Sequence, residues 1–143
     1  MTIERVTEAT PELLDAFNRL IPQLSRSAPA LDEATLHDVV SAPGNVVLIA
    51  RDSDGAIVGS MTLVTFRIPT GLRAWIEDVV VDGAAGNRGV GTALNREALV
   101  RAAAMGVRSI DLTSRPSREA ANHLYQKLGF KQRDTNIYRM KLE

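Results

Sequence analysis

The period of apolar positions changes twice along the chain, and the changes mark out its elements. Leu13, Leu14, Phe17, Leu20, Ile21 and Leu24 recur at the spacing of one helix face, behind Thr10 as a cap and Pro11 at the first helical position. Residues 3–6 form a short strand ahead of that helix. Residues 25–30 are a polar break containing Pro29. Asp32 then caps a second helix in which Leu36, Val39 and Val40 share a face, and Pro43 with Gly44 ends it. From Asn45 onward β-branched runs take over. Residues 46–50, a turn at 52–55 and residues 57–66 predict an antiparallel hairpin. After Pro69, Thr70 and Gly71 a third consecutive strand is expected over 74–81, its far end apolar enough for burial on both faces. A glycine-rich loop over 83–91 feeds an Ala- and Leu-rich helix at 92–105. A strand at 109–113, a helix at 117–128 stopped by Gly129, and one or two last strands ending with residues 137–142 complete the pattern. Strands in a run, then helices alternating with strands, predict one α+β domain with a mixed sheet over residues 1–143.

Composition narrows what such a domain does. A chain of 143 residues is long enough for one core that buries roughly two-thirds of its unfolded surface. Seventeen basic and seventeen acidic side chains give a formal net charge of zero, so no overall field gathers nucleic acid or a membrane surface. There is no cysteine, which removes disulfides, thiolate metal sites and cysteine nucleophiles, and makes a reducing cytoplasm the expected location. Only His37 and His123 remain as imidazole ligands, so no metal site is expected; each reads as a surface or packing residue on a helix. The start of the chain has no apolar stretch behind a basic segment, as a signal peptide would.

Chemistry concentrates in the segment that joins the third strand of the run to the following helix. A helix N-terminus carries unpaired N–H groups and about half a positive charge, and glycines there let phosphate oxygens approach without meeting a Cβ. Gly86, Gly89 and Gly91 stand in this position. A P-loop needs Lys and then Ser or Thr after its last glycine, whereas Thr92 and Ala93 follow Gly91. Asp111 lies about where a dinucleotide fold places its ribose-binding acid, but antiparallel strands come first, which is the wrong order for that fold.

Three stretches resemble the GNAT superfamily of acetyl-CoA-dependent N-acetyltransferases. The loop from Gly86 to Gly91 is similar to the family's pattern of Arg or Gln, two residues, Gly, one residue, then Gly or Ala; Gly89 and Gly91 match, while Gly86 stands where Arg or Gln is usual. Arg118, Ala121, Leu124, Tyr125, Gly129 and Phe130 resemble the family's next helix and the strand after it, and residues 135–139 resemble a frequent ending. The resemblance implies a three-layer α/β/α fold, in which about four helices flank a mixed, mostly antiparallel sheet of six to seven strands. It also implies acetyl-CoA as cofactor. The backbone of Val79 and Val81, with Val80 between them, would pair with the pantetheine arm where two central strands splay apart. Asn87, Arg88, Gly89, Val90, Gly91 and Thr92 would offer N–H groups to the pyrophosphate. Arg115 and Arg118 stand where they would either contact the adenosine phosphate or simply solubilise the start of the helix.

Acetyl transfer to an amine needs a neutral nucleophile, support for an oxyanion, and a proton for the departing thiolate. By the resemblance Tyr125 is the candidate acid; packing is the alternative for a tyrosine on a helix face. Glu77 is the candidate base, directly or through water, because it lies just before the implied splay. Strand alternation sends Glu77 and Asp78 to opposite faces unless a bulge intervenes, and ion-paired surface carboxylates are the alternative for both. Two acidic groups near the chemistry suit a cationic acceptor: a small amine, an amino sugar, a polyamine, an aminoglycoside or a peptide amine. A non-catalytic acetyl-CoA-binding module is the second functional expectation, motivated by Gly86. An exposed last strand would also allow a homodimer by sheet extension.

Overall fold

Thr10 and Asp32 start the first two helices by the mechanism their side chains provide: Thr10 Oγ1 accepts from Leu13 N at 3.2 Å, and Asp32 Oδ1 accepts from Thr35 N at 2.7 Å. In the computed structural model, which describes residues 1–86 and 88–143, the chain divides into two compact units, Met1–Leu112 and Thr113–Glu143. Asn87 lies outside the described residues.

The first unit contains β1 (Thr2–Val6), α1 (Pro11–Leu24), α2 (Glu33–Ser41), β2 (Asn45–Arg51), β3 (Ile57–Ile68), β4 (Gly71–Val81), α3 (Val90–Met105) and β5 (Ser109–Asp111). The strands form one sheet in the order β1-β2-β3-β4-β5, antiparallel throughout except for the parallel β4–β5 pair. Alternation along β2 sorts the core into two faces. Val47 and Ile49 join Leu13, Phe17, Leu20, Leu36 and Val40 of α1 and α2 in one buried cluster. Val46, Leu48 and Ala50 are buried on the opposite face, where α3 packs on β2, β3 and β4. Helices on both faces of the sheet make this unit the expected three-layer α/β/α arrangement.

In the second unit α4 (Glu119–Lys127) follows Arg118, its N-cap residue, and Gly129 with φ 103° sits just past its end. The expected sheet of six to seven strands is corrected to five among the described residues. Residues 130–143 form neither strand nor helix, and Ile137, Tyr138, Met140 and Leu142 are exposed. An alternating apolar segment becomes a strand only where a neighbour takes up its backbone hydrogen bonds and its apolar face, and the sheet offers this one no pairing. The dimer expected from an exposed last strand therefore has no strand there to extend.

Candidate active site

Strand β4 changes character midway. It pairs with β5 only through Arg73, Ala74 and Trp75, opposite Ser109, Ile110 and Asp111; residues 76–81 continue past the last of these rungs. On its other side β4 stays paired with β3, but the register slips. Thr62 lies opposite Glu77 and Ser60 opposite Val80, so β4 carries one residue more than β3 over that interval. That is a β-bulge, and Asp78 at φ 51° is the non-glycine residue with left-handed backbone inside it. Asp accepts this conformation more readily than most side chains.

The bulge decides which way the candidate groups face. Ser60 and Thr62 lie opposite Ile49 and Val47, on the α1–α2 side of the sheet. Their partners Val80 and Glu77 therefore point to that same side, which unbroken alternation would forbid for residues three apart. Glu77 and Asp78 are both exposed. Partial loss of water around the Glu77 carboxyl, with the neighbouring Asp78 charge adding repulsion, raises its pKa above the ordinary glutamate value.

Past Val81 the backbone turns at Asp82, whose N–H donates to Val58 O at 2.8 Å, and enters the short 3-10 turn Gly83–Ala85. Gly86, Arg88 and Gly89 are exposed, and α3 begins at Val90. Gly89 is the N-cap residue, with φ 76° and no side chain to cap the helix, in contrast to Thr10 and Asp32. A Cβ built on Gly89 would meet nothing within 4 Å, so here glycine serves the left-handed turn rather than close packing. The first turn is braced from within by Asn95, fully buried, whose Nδ2 donates to Gly91 O at 2.8 Å while its Oδ1 has no partner among the described residues.

Glu77, Val79, Val80, Val81 and the glycine loop all belong to the first unit. Tyr125 and Arg118 belong to the second. Tyr125 is the buried residue of α4 and stacks edge-to-face on Phe130, with ring centroids 5.9 Å apart. Burial pushes its phenol pKa up, and the Arg118 guanidinium pulls it partly back. Arg118 itself is exposed. His37 and His123 are exposed on α2 and α4. Among the described residues no helix is long and apolar enough to cross a membrane.

Residues 10–130 match the sequence profile described as the Acetyltransferase (GNAT) family, which is the greater part of the chain. The chain belongs to the GNAT acetyltransferase family. Members of the family use acetyl-CoA, and the chain is an acyltransferase. Solved structures agree on the GNAT fold. A proposed acetyltransferase from Agrobacterium tumefaciens superposes with a TM-score of 0.87 at 24% identity, covering 99% of this chain and 100% of its own. An acetyltransferase from Trypanosoma brucei has a TM-score of 0.79 at 26% identity, with 99% of each chain covered. An aminoglycoside acetyltransferase from an uncultured soil sample, solved with trehalose, has a TM-score of 0.81 at 19% identity over 98% of this chain and 96% of its own. No curated protein sequence matches the chain.

Three residues that bond to one another at the head of the glycine loop were not singled out by the sequence: Arg19, Gln23 and Asp82, which meet across more than half of the unit's length. Asp82 alone left a signal, as an acidic residue heading a glycine turn where it caps Ala84 N at 3.1 Å.

Proposed function

We propose that this chain, acting as one domain, moves the acetyl group of acetyl-CoA to a primary amine of a small molecule or peptide by direct attack in a ternary complex. The observation that carries this reading is the bulge at Asp78, which lies beyond the last β4–β5 rung in the strand that leads through the glycine loop to the Gly89-capped helix α3. The residues present fit the cofactor. Residues 76–81 of β4 run on without β5, so the backbone of Val79 and Val81, flanking Val80, is suited to pair with a pantetheine arm as a neighbouring strand would. Arg88, Gly89, Val90, Gly91 and Thr92 bring backbone N–H groups and the α3 dipole to a pyrophosphate, with Gly86 and Asn87 before them in the same loop. Arg118 is the candidate for the adenosine phosphate.

Acetyl-CoA supplies an activated thioester and a thiolate leaving group. Glu77, held in its deprotonated form, takes the proton from the attacking amine directly or through water, and Tyr125 donates to the thiolate. The raised pKa of Glu77 brings it closer to working pH than an ordinary carboxylate, which suits a base. With Asp78 beside it, the site favours a cationic acceptor. Aminoglycosides, amino sugars, polyamines and peptide amines all meet that description, and the soil acetyltransferase solved with sisomicin acts within the first of these classes.

The test is thermal unfolding with acetyl-CoA. A ligand at about 100 times its Kd that binds only the native state stabilises by about 2.7 kcal/mol, enough to raise Tm by several degrees. An unchanged Tm at millimolar acetyl-CoA would sink the reading. Gly86 in place of the usual Arg or Gln favours one second reading, a module that holds acetyl-CoA without turnover; tight binding with no thiol release across a broad amine panel selects it.

Glu77→Gln tests the base. Turnover is expected to fall by about a hundredfold or more, the usual scale of a lost general base. Stability moves the other way. A carboxyl whose pKa is raised on folding contributes stability that is full below the ordinary glutamate value and is lost as pH rises through the higher folded one. Glutamine lacks that loss, so the variant should unfold at a slightly higher urea concentration than wild type at neutral pH and show no advantage in acid.

A further inference from the structure

The glycine loop is fastened at its start to α1. Arg19 lies on α1 and forms an ion pair with Asp82 through Nη1, while its Nη2 donates to Ile57 O at 2.7 Å. One turn further on, Gln23 Oε1 accepts from Gly83 N at 3.0 Å, and its Nε2 lies 3.5 Å from Asp82 Oδ1 and 3.2 Å from Arg19 O. Asp82 in turn accepts from Ala84 N. Two side chains of one helix thus hold consecutive residues at the head of the loop, and hold the start of β3 with them.

Stability alone gives this arrangement little reason to exist. Arg19 is 47% exposed, and an ion pair in that setting contributes at most about 1 kcal/mol. What the contacts do fix is geometry. The α1 helix is seated in the core by Leu13, Ala16, Phe17 and Leu20, so Arg19 and Gln23 project from a rigid support. Through Asp82 and Gly83 they set where the chain departs from β4 toward Gly86 and Gly89. Asn18 on the same helix acts in a similar way, exchanging hydrogen bonds with Leu31 N and O at 2.9 and 3.0 Å and so tying down the α1–α2 connection.

We propose that Arg19 and Gln23 are positioning residues for the cofactor loop, holding it in the conformation that receives the pyrophosphate of coenzyme A before the ligand arrives. This rests on the cofactor reading above. Neither residue needs to touch the ligand; they lower the cost of ordering the loop when it binds.

Calorimetric titration of the full chain with coenzyme A tests the proposal without needing an acceptor. Arg19→Met and Gln23→Met are each expected to weaken binding by about fivefold, and Arg19→Lys, which keeps a donor toward Asp82, to recover part of the loss. Arg51→Met serves as the control for a merely structural effect. It breaks ion pairs with Glu4 and Glu12 in the same unit, and should lower Tm while leaving the Kd unchanged. If wild type binds coenzyme A and both methionine variants stay within twofold of it, the positioning role is wrong and the cofactor reading stands. Equal weakening by Arg51→Met also overturns the positioning role. A wild-type protein that gives no binding heat overturns the cofactor reading and this proposal together.

Discussion

Tyr125→Phe should slow acetyl transfer by roughly a hundredfold while leaving the thermal response to acetyl-CoA intact, the signature of a lost proton donor. The substitution removes one oxygen and keeps the ring, so the edge-to-face contact with Phe130 survives and α4 keeps its buried anchor. Burial raises the phenol pKa, which keeps Tyr125 protonated throughout the neutral range and able to donate there. The Arg118 charge works against that rise, so Arg118→Met should shift the alkaline limb of the rate profile upward. Thiol release measured over an amine panel reads both effects. Equal turnover by wild type and Tyr125→Phe would leave the tyrosine as a packing residue and return the acid role to solvent.

A second large effect is expected from Gly59→Ala, which should destabilise the fold by about 1–3 kcal/mol and weaken acetyl-CoA binding at the same time. Gly59 pairs with Ala50 on one side and Val81 on the other, beneath the start of α3. A Cβ there would stand 2.8 Å from Val90 Cγ1, 3.2 Å from Val80 O and 3.3 Å from Leu94 Cδ1. Val90 is β-branched and has little rotamer freedom in a helix, so the strain must be relieved by lifting the first turn of α3 away from the sheet. That turn carries the N–H groups assigned to the pyrophosphate. Urea unfolding reads the stability loss, and titration with coenzyme A reads the displaced turn. An alanine variant as stable as wild type would show that the helix end gives way at no cost.

Local chemistry accounts for what was legible beforehand. Thr10 with Pro11, Asp32, and the turn at residues 52–55 act on neighbours within a few positions, and each appears in the structure as the side chains predict. The glycine loop and the strand before it were visible for the same reason. The bulge was visible only as an alternative to strict alternation, because its place depends on how β3 pairs with β4, and pairing is a property of two segments rather than one. The contacts from Arg19 and Gln23 to Asp82 left no trace in any local window. Residues 137–142 misled for a related reason: alternation states which face a strand would bury, and is silent on whether a neighbour exists to bury it.

The extra residue at Asp78 works as a phase shifter. Ahead of it, Ile76 lies opposite Leu63 and turns toward α3; behind it, Val81 lies opposite Gly59 and turns toward α3 as well, an odd interval that would put the two on opposite sides of an unbroken strand. Deleting Asp78 would therefore do more than remove a carboxylate. It would bring Ile76 and Val81 to an even interval, the spacing of an unbroken strand, so both flanks would keep their sides while the left-handed turn of backbone between them was lost. The bulge is thus the stretch of β4 that can lose a residue without turning either flank over, whereas a deletion outside it would put one flank out of phase.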